Sequence, residues 1–274
     1  MIFAGLLWPA AAVCAGAFPQ RVVSMNVCTD QLAMLVARPG QLLSVSYLAR
    51  DAGTSAMAKE ANAYAVNHGL AEEIFLLKPD LVLAGTYTTH TTVSLLRRLG
   101  FRVEEFQSEA SFEDVRANII RMGELLGNPE RAKALVTGMD AEIAALETAR
   151  TLRLRTALTF ANSYTSGSGT LVSEVVKRAG LVNIAETLGV AGTARLPLEL
   201  LVLSDPELMA GGLSGVRGPA LAEQNFAHPA YRTLAATTAE APLENRLTVC
   251  GGPFTLEAAR ALQDAARRAK GTAP

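Results

Sequence analysis

Short apolar runs alternate along the chain with longer stretches in which apolar residues recur at helical spacing. The short runs predict buried strands, and the amphipathic stretches predict helices packed on them. Thr29 and Asp30 are the expected caps of the first helix. Strands that alternate with helices predict a parallel sheet covered on both faces. In the first half the pattern predicts strands at 21–25, 41–46, 80–84 and 102–106, and helices at 31–37, 71–77 and 92–99.

A longer helix is predicted after Asn128-Pro129, where Asn is a favourable cap and Pro suits the first helical position. Apolar residues at helical spacing fall on one face, and no proline interrupts residues 130–150. At 1.5 Å per residue this helix is about 30 Å long. A helix of that length predicts a rigid connector between two α/β units.

The alternation then restarts in the second half of the chain. The pattern predicts strands at 156–160 and 246–250, helices at 171–179 and 255–270, and a loop of small residues at 161–169. Gly180 is the expected end of the first of these helices. The restart predicts a second α/β unit.

Two segments that lie 127 positions apart resemble each other. The first runs from Glu72 to Gly85 and the second from Glu199 to Gly212, and Glu, Leu, Pro, an acid and Gly recur in register. Each segment reads as a helix, a proline, a strand and a glycine. We interpret the echo as an internal duplication, although a chance likeness between two αβ units remains the alternative.

The first 17 residues differ from the rest of the chain. They are apolar and uncharged, and they end in Ala15-Gly16-Ala17, a pattern typical of signal-peptide cleavage. We expect residues 1–17 to be a signal peptide cleaved near Ala17. The exported chain then keeps Cys28 and Cys250 in an oxidising compartment.

Composition and motifs exclude several classes of function. Lys and Arg number 25 against 26 Asp and Glu, so no overall field attracts nucleic acid. The sequence has no Gly-x-Ser-x-Gly elbow, no phosphate-binding loop and no Cys-x-x-Cys pair. His68, His90 and His228 lie too far apart for metal-ligand spacing. We therefore expect neither an enzyme nor a metal site.

Three segments carry a resemblance to a known family. The runs RVVSMNVCTDQL at 21–32, KPDLVLAG at 78–85 and CGGPF at 250–254, together with the long helix, resemble the periplasmic substrate-binding proteins of ABC importers for ferric siderophores and cobalamin. The resemblance implies the α/β fold of class III binding proteins, with two lobes of parallel-rich sheet flanked by helices. The implied lobes span 18–127 and 151–274, and the connector helix spans 128–150.

The resemblance also implies partners. The chain would hold a small metal-chelate between its lobes, act as a monomer in the periplasm, and deliver the chelate to a membrane permease with ATPase subunits. A glutamate on each lobe of such proteins docks to permease arginines, and the matching residues are Glu72 and Glu199. The alternative is that both are solvated glutamates in the first turn of a helix, favoured there by the helix dipole.

Ligands of open α/β sheets bind beyond the carboxyl ends of the strands. Aromatic side chains would supply apolar and hydrogen-bonding faces to a chelate, and Arg50 would pair with a carboxylate. The predicted ligand-binding residues are Asn26, Cys28, Tyr47, Arg50, Tyr87, Thr88, Tyr164, Cys250 and Phe254.

Cys28 and Cys250 are each expected to follow a strand and precede a helix, one in each lobe. Three interpretations stay open: a disulfide between the lobes, thiols that bind a metal or ligand, or two unrelated buried cysteines. Three other functions also stay open. They are a haem carrier of the same fold, an envelope thiol-disulfide enzyme that uses this pair, and a sensor that docks a receptor.

Overall fold

The computed structural model describes residues 18–148, 152–211 and 221–271, and two parallel sheets organise them. The expected signal peptide at 1–17 and the end of the predicted connector at 149–150 lie outside the described residues. Within residues 18–148 one sheet has the strand order β3-β2-β1-β4-β5, and every pairing in it is parallel. Its elements in chain order are β1 Val22–Ser24, α1 Val27–Val36, β2 Leu42–Ser46, β3 Ala65–Asn67, α2 Ala71–Leu77, β4 Leu81–Gly85, α3 His90–Arg98, β5 Val103–Phe106, α4 Phe112–Leu126 and α5 Pro129–Thr148.

The second parallel sheet has the order β11-β10-β6-β8, and a short antiparallel pair, β7 with β9, accompanies it. The α/β fold class and the two parallel sheets are confirmed. The elements in chain order are β6 Arg155–Thr159, β7 Tyr164–Ser166, α6 Leu171–Arg178, β8 Val182–Asn183, α7 Ile184–Thr187, β9 Thr193–Arg195, α8 Leu198–Leu203, β10 Leu208–Gly211, α9 Gln224–Ala227, α10 Pro229–Thr237, β11 Ala239–Ala241 and α11 Thr255–Ala269.

Alternation along the strands divides the core. In β1, Val22 joins the main apolar cluster and Val23 points to a second cluster on the other face of the sheet. In β10, Leu208 joins the main cluster and Met209 a third one. Successive side chains of a strand face opposite sides, so helices must cover both faces of each sheet.

The predicted connector is present as α5, a 20-residue helix that begins at Pro129. Its predicted apolar face is buried at Ala132, Met139 and Ile143. These side chains belong to the main cluster, which also contains residues of both parallel sheets. The helix therefore joins two sheets through one continuous apolar core.

Three sequence predictions were wrong in detail. Part of the predicted loop at 161–169 is β7, which pairs with β9. The first helix begins at Val27 because Asn26, not Thr29 or Asp30, is its cap, and the Asn26 side chain accepts a hydrogen bond from the Cys28 N–H. The predicted final strand at 246–250 is instead a turn that contains the 3-10 helix Asn245–Leu247. Its backbone N–H groups are satisfied within the turn, and β11 takes the sheet edge. Cys250 therefore follows a turn, not a strand.

The two repeated segments have the same conformation. Lys78 ends α2 with a φ of 47°, and Asp205, 127 positions later, follows α8 with a φ of 45°. A proline and a parallel strand follow in each case. Gly212, the last residue of the echo, lies outside the described residues. Each segment is thus one helix, a left-handed turn and one central strand.

Candidate functional site

A cavity lies at the carboxyl edge of the first sheet, beyond the ends of β1, β4 and β5. This first cavity has a volume of about 390 Å³. Asn26, Cys28 and Tyr87, all predicted from the sequence, line it together with Phe106 and Glu109. Three of the ligand residues predicted from the carboxyl-edge rule therefore lie together at this cavity.

The turn after β4 shapes this cavity. The Gly85 N–H donates to the Thr88 Oγ at 2.9 Å, and the Thr88 N–H donates to the Gly85 carbonyl at 2.8 Å. Gly85 has no side chain to displace Asn26, whose amide group would lie 3.0 Å from an added Cβ. The predicted residue Thr88 thus holds the turn, and the turn presents Tyr87, which is 87% exposed.

Cys28 and Cys250 form a disulfide, which confirms the first of the three interpretations. Their Cα atoms lie 5.1 Å apart. Cys250 is 1% exposed, so it lies behind the cavity that Cys28 lines. The interpretation of free thiols that bind a metal or ligand is wrong for this state, because each sulfur is already bonded to the other.

The turn that carries Cys250 packs directly on the first unit. A Cβ on Gly251 would lie 2.4 Å from Val115 Cγ2, so only glycine allows this approach. The Gly251 N–H donates to Glu109 Oε2 at 3.2 Å, and Asn118 donates to the same carboxylate at 2.7 Å. Burial raises the pKa of Glu109, and these hydrogen bonds oppose that rise. Sequence reasoning missed Glu109, because its role depends on a turn 142 residues away.

Asp30 is a fully buried acid near this edge. Its Oδ2 accepts hydrogen bonds from the Ser46 N–H and from the Ser46 hydroxyl, at 3.1 and 2.5 Å. Its Oδ1 has no hydrogen-bond partner among the described residues. Burial raises the pKa of Asp30 to about 6, against the effect of these hydrogen bonds.

The second unit has its own cavity at the carboxyl end of β6. This second cavity has a volume of about 550 Å³ and is lined by Tyr164, Arg195 and Glu199 among others. The Arg195 guanidinium lies 5.7 Å from the centre of the Tyr164 ring, within range of a cation–π contact. Tyr164 was predicted as a ligand residue, whereas Arg195 was not.

Asn225 adds a buried acceptor to the second cavity. Its amide nitrogen donates to the Phe160 carbonyl at 3.1 Å. Its Oδ1 is buried and has no hydrogen-bond partner among the described residues. Buried polar atoms are normally paired, so this oxygen is available to a bound ligand or a water molecule. Nothing in the local sequence around Asn225 indicated this role.

Tyr47, Arg50 and Phe254 are not among the residues that line these two cavities. The Tyr47 ring stacks on the His68 ring, with centroids 5.5 Å apart. Arg50 donates to the Tyr64 carbonyl at 2.6 Å, so part of its guanidinium is already engaged. Phe254 packs against the main core.

The two predicted docking glutamates occupy matching places. Glu72 lies in the first turn of α2 and Glu199 in the first turn of α8, and both are exposed. Glu199 also lines the second cavity, whereas Glu72 borders a small apolar groove between α2 and α3.

Two features are absent from the described ranges. Residues 18–148, 152–211 and 221–271 contain no group of three or more His, Cys, Asp or Glu arranged to hold a metal ion. Within the same ranges, no helix combines the length and apolarity that a membrane crossing requires.

Comparison with known proteins identifies a family and its fold. A family model described as periplasmic binding protein matches residues 22–241 of the 274. Two curated relatives from Halobacterium salinarum, of strains R1 and NRC-1, are named cobalamin-binding protein. Each is 28% identical over 204 residues, which is 73% of this chain and 55% of the relative. The chain thus spans about half the length of the curated relatives it matches.

Solved structures share the fold over nearly the whole chain. The periplasmic haem-binding protein RhuT from Roseiflexus sp. RS-1 has a TM-score of 0.69 at 20% identity, covering 90% of this chain and 99% of that one. The periplasmic vitamin B12 binding protein BtuF of Vibrio cholerae has a TM-score of 0.67 at 20% identity, covering 92% and 98%. At these identities the likeness shows the fold alone.

Proposed function

Because the chain belongs to the periplasmic binding protein family, we propose that it captures a metal-chelate, a ferric siderophore or a cobalamin, and delivers it to an ABC permease with ATPase subunits. Under this proposal the chain is exported as a monomer and cleaved near Ala17, which the mass of the mature protein would measure. The proposed lobes are 18–127 and 151–274, joined by the connector.

The observation that carries this proposal is the pair of cavities at the carboxyl edges of the two parallel sheets. The first measures about 390 Å³ and the second about 550 Å³. Both have the size of ligand pockets, and both lie where open α/β sheets bind ligands. A chelate held between two lobes would contact both.

The proposed contacts are Tyr87 and Asn26 in the first cavity, and Tyr164 and Arg195 in the second. Aromatic rings suit the flat or apolar faces of a corrin or a siderophore. Arg195 takes the role that the sequence suggested for Arg50, since a guanidinium pairs with a ligand carboxylate. Cys28 would contribute its disulfide sulfur as an apolar surface.

A haem carrier is the second candidate function. The Tyr87 side chain is largely exposed beside the first cavity, and a phenol oxygen is a known type of haem ligand. RhuT and other solved structures that share this fold are named as haem-binding proteins, which supports testing haem beside cobalamin.

A thiol-disulfide enzyme is less well supported. Its disulfide would be attacked at Cys28, because Cys250 is 1% exposed. The family consists of binding proteins. Reduction of insulin with turnover by the purified protein would contradict the carrier proposal.

A melting screen of the mature protein tests the proposed function. Cyanocobalamin, haemin, a ferric hydroxamate and a ferric catecholate are each added in excess. A micromolar binder at a hundredfold excess over its Kd should stabilise the fold by about 2.7 kcal/mol. We expect one of these chelates to raise the melting temperature.

Tyrosine variants refine the screen. Tyr87→Ala and Tyr164→Ala should each reduce the affinity for that chelate, because both rings line the cavities. Tyr47→Ala is the matched control, since Tyr47 is also exposed but stacks on His68. Loss of affinity in the Tyr47 variant alone would move the site, and no response to any chelate would contradict the proposal.

A further inference from the structure

Each docking glutamate is followed, one helical turn later, by a leucine that lies almost wholly in solvent. Leu76 is 77% exposed and Leu203 is 80% exposed, and the two positions are related by the same 127-residue offset. Residues four apart share one face of a helix, so Glu72 lies beside Leu76 and Glu199 beside Leu203. The duplication has thus kept an acidic and apolar pair on each unit.

The helices that carry these pairs are held to their sheets by similar hydrogen bonds. Arg21, just before β1, donates to the Leu77 and Lys78 carbonyls at the end of α2. Arg155, at the start of β6, donates twice to the Asp205 carbonyl after α8.

An acid completes each of these end structures. Asp80 accepts from the Arg21 N–H at 3.0 Å, and Glu207 accepts from the Arg155 N–H at 3.0 Å. Asp80 and Glu207 are again 127 positions apart. The two helices therefore have the same orientation relative to their own sheets.

Folding does not require these leucines. Ile74 and Leu201 supply the buried contacts of α2 and α8, at 0% and 4% exposure. Leu76 instead forms one wall of a groove of about 320 Å³, with Phe75 and Leu99 among the other walls. Val202, which precedes Leu203, is 40% exposed. Contiguous exposed apolar patches that are rimmed by polar residues are typical of protein interaction sites.

We propose that Glu72 with Leu76 and Glu199 with Leu203 form two equivalent contact points for a membrane partner with two-fold symmetry. The inference rests on the proposed delivery to an ABC permease and extends its docking face beyond the glutamates. Each half of the partner supplies one cation for the glutamate and one apolar side chain for the leucine.

Charge decides which partner fits. The first turn of each helix is acidic, and neither α2 nor α8 contains a basic residue, although the exposed Lys78 directly follows α2. A second copy of this chain, seated face to face, would bring glutamate against glutamate. A partner with arginine or lysine beside an apolar side chain complements both groups, and a symmetric partner offers that combination twice.

Binding to the importer of the native cell tests this inference. Its permease and ATPase complex is placed in lipid nanodiscs, and its affinity for the mature, disulfide-intact protein is measured by interferometry. Leu76→Ser with Leu203→Ser should weaken this binding about tenfold or more, because two apolar contacts are lost. Melting temperature and cyanocobalamin response, measured in parallel, should stay at the wild-type level.

Two further variants serve as comparisons for the leucine variant. Glu72→Ala with Glu199→Ala should also weaken importer binding. Leu188→Ser is the matched control, a 43% exposed leucine that follows α7, and it should leave binding unchanged.

Each contrary outcome identifies what failed. If the leucine variant binds normally while the glutamate variant does not, the leucines are not part of the face and the proposed function stands. If wild-type protein does not bind the importer, the proposed delivery itself is overturned. A concentration-dependent dimer that the leucine variant abolishes would assign the face to a second copy and overturn the inference.

Discussion

The two α/β units share one frame but differ at the edge where ligand would bind. At the amino ends of the central strands, both units have an arginine, a left-handed residue, a proline and an acid in matching positions. At the carboxyl ends the first unit has a partly buried acid, Glu109, and a disulfide beside its cavity. The second has an exposed arginine and an amide oxygen that has no hydrogen-bond partner within the described ranges.

This difference separates the residues that stabilise the fold from the residues that line the candidate site. At the amino ends, Arg21 and Arg155 donate to backbone carbonyls that any helix end must satisfy. The carboxyl ends open into cavities whose lining side chains differ between the two units. Under the proposed function, these unlike linings would contact different parts of one ligand.

Loss of the disulfide should give the largest effect and tests the most obvious asymmetry. Cys28 and Cys250 are 222 positions apart, so the bond closes most of the chain into one loop. We expect Cys28→Ser with Cys250→Ser to lower the free energy of unfolding by about 3–5 kcal/mol, measured by urea denaturation. A reductant should shift wild-type protein in the same way and leave the variant unchanged. Equal midpoints with and without reductant would contradict the structural role.

Replacing matched core residues should destabilise the protein to a similar extent in the two units. Ile74 and Leu201 lie 127 positions apart and face the core from α2 and α8. Replacing either by alanine should lower the free energy of unfolding by about 2–4 kcal/mol, because each leaves a cavity. Leu76→Ala and Leu203→Ala are the exposed controls, with an expected change within about 0.5 kcal/mol. A large cost in one unit and none in the other would show that the units are not equivalent.

The two units should also differ, by a smaller amount, in how they make the free energy of unfolding depend on pH. The first turn of α1 buries the carboxyl of Asp30, whereas the first turn of α6 buries the neutral hydroxyl of Ser173. The folded protein holds the Asp30 proton more tightly than the unfolded chain, since its pKa is raised to about 6. This group therefore makes the free energy of unfolding fall as the pH rises from about 4 to about 6.

Asp30→Asn removes that dependence. The difference in unfolding free energy between wild type and variant should change by about 2–3 kcal/mol across this pH range, measured by urea denaturation at each pH. Ser173→Ala, in the second unit, should give no such fall, because the Ser173 hydroxyl lowers the pKa of Glu186 and its loss acts in the opposite direction. A constant difference for the Asp30 variant would mean that this carboxyl is ionised throughout.

Sequence patterns predicted the elements whose signal is local. Helix α2 was predicted at its observed bounds, because an apolar face ends there before Lys78-Pro79. The connector was predicted because no proline interrupts a long amphipathic stretch. Helix α4 was not predicted, although Ser111 and Asp114 form a capping box that a closer reading of the sequence detects.

Elements that depend on distant partners were predicted less well. The run before Cys250 has the composition of a strand, yet Ala239–Ala241 takes the sheet edge beside β10. Three small or polar residues have little strand propensity of their own, so pairing decided their structure. Phe254 was predicted as a ligand residue from its place in the sequence, but it is partly buried and packs against the main core.

The sequence by itself determined the alternation of strands and helices, the long connector and the duplicated segments that contain Glu72 and Glu199. Those features rest on periodicity and on proline and glycine, which act over a few residues. Only the tertiary structure decided that Cys28 is bonded to Cys250, that Glu109 meets Gly251, and that Arg195 lies over Tyr164. Those contacts join residues far apart in the chain, and their pairing depends on how the whole core closes.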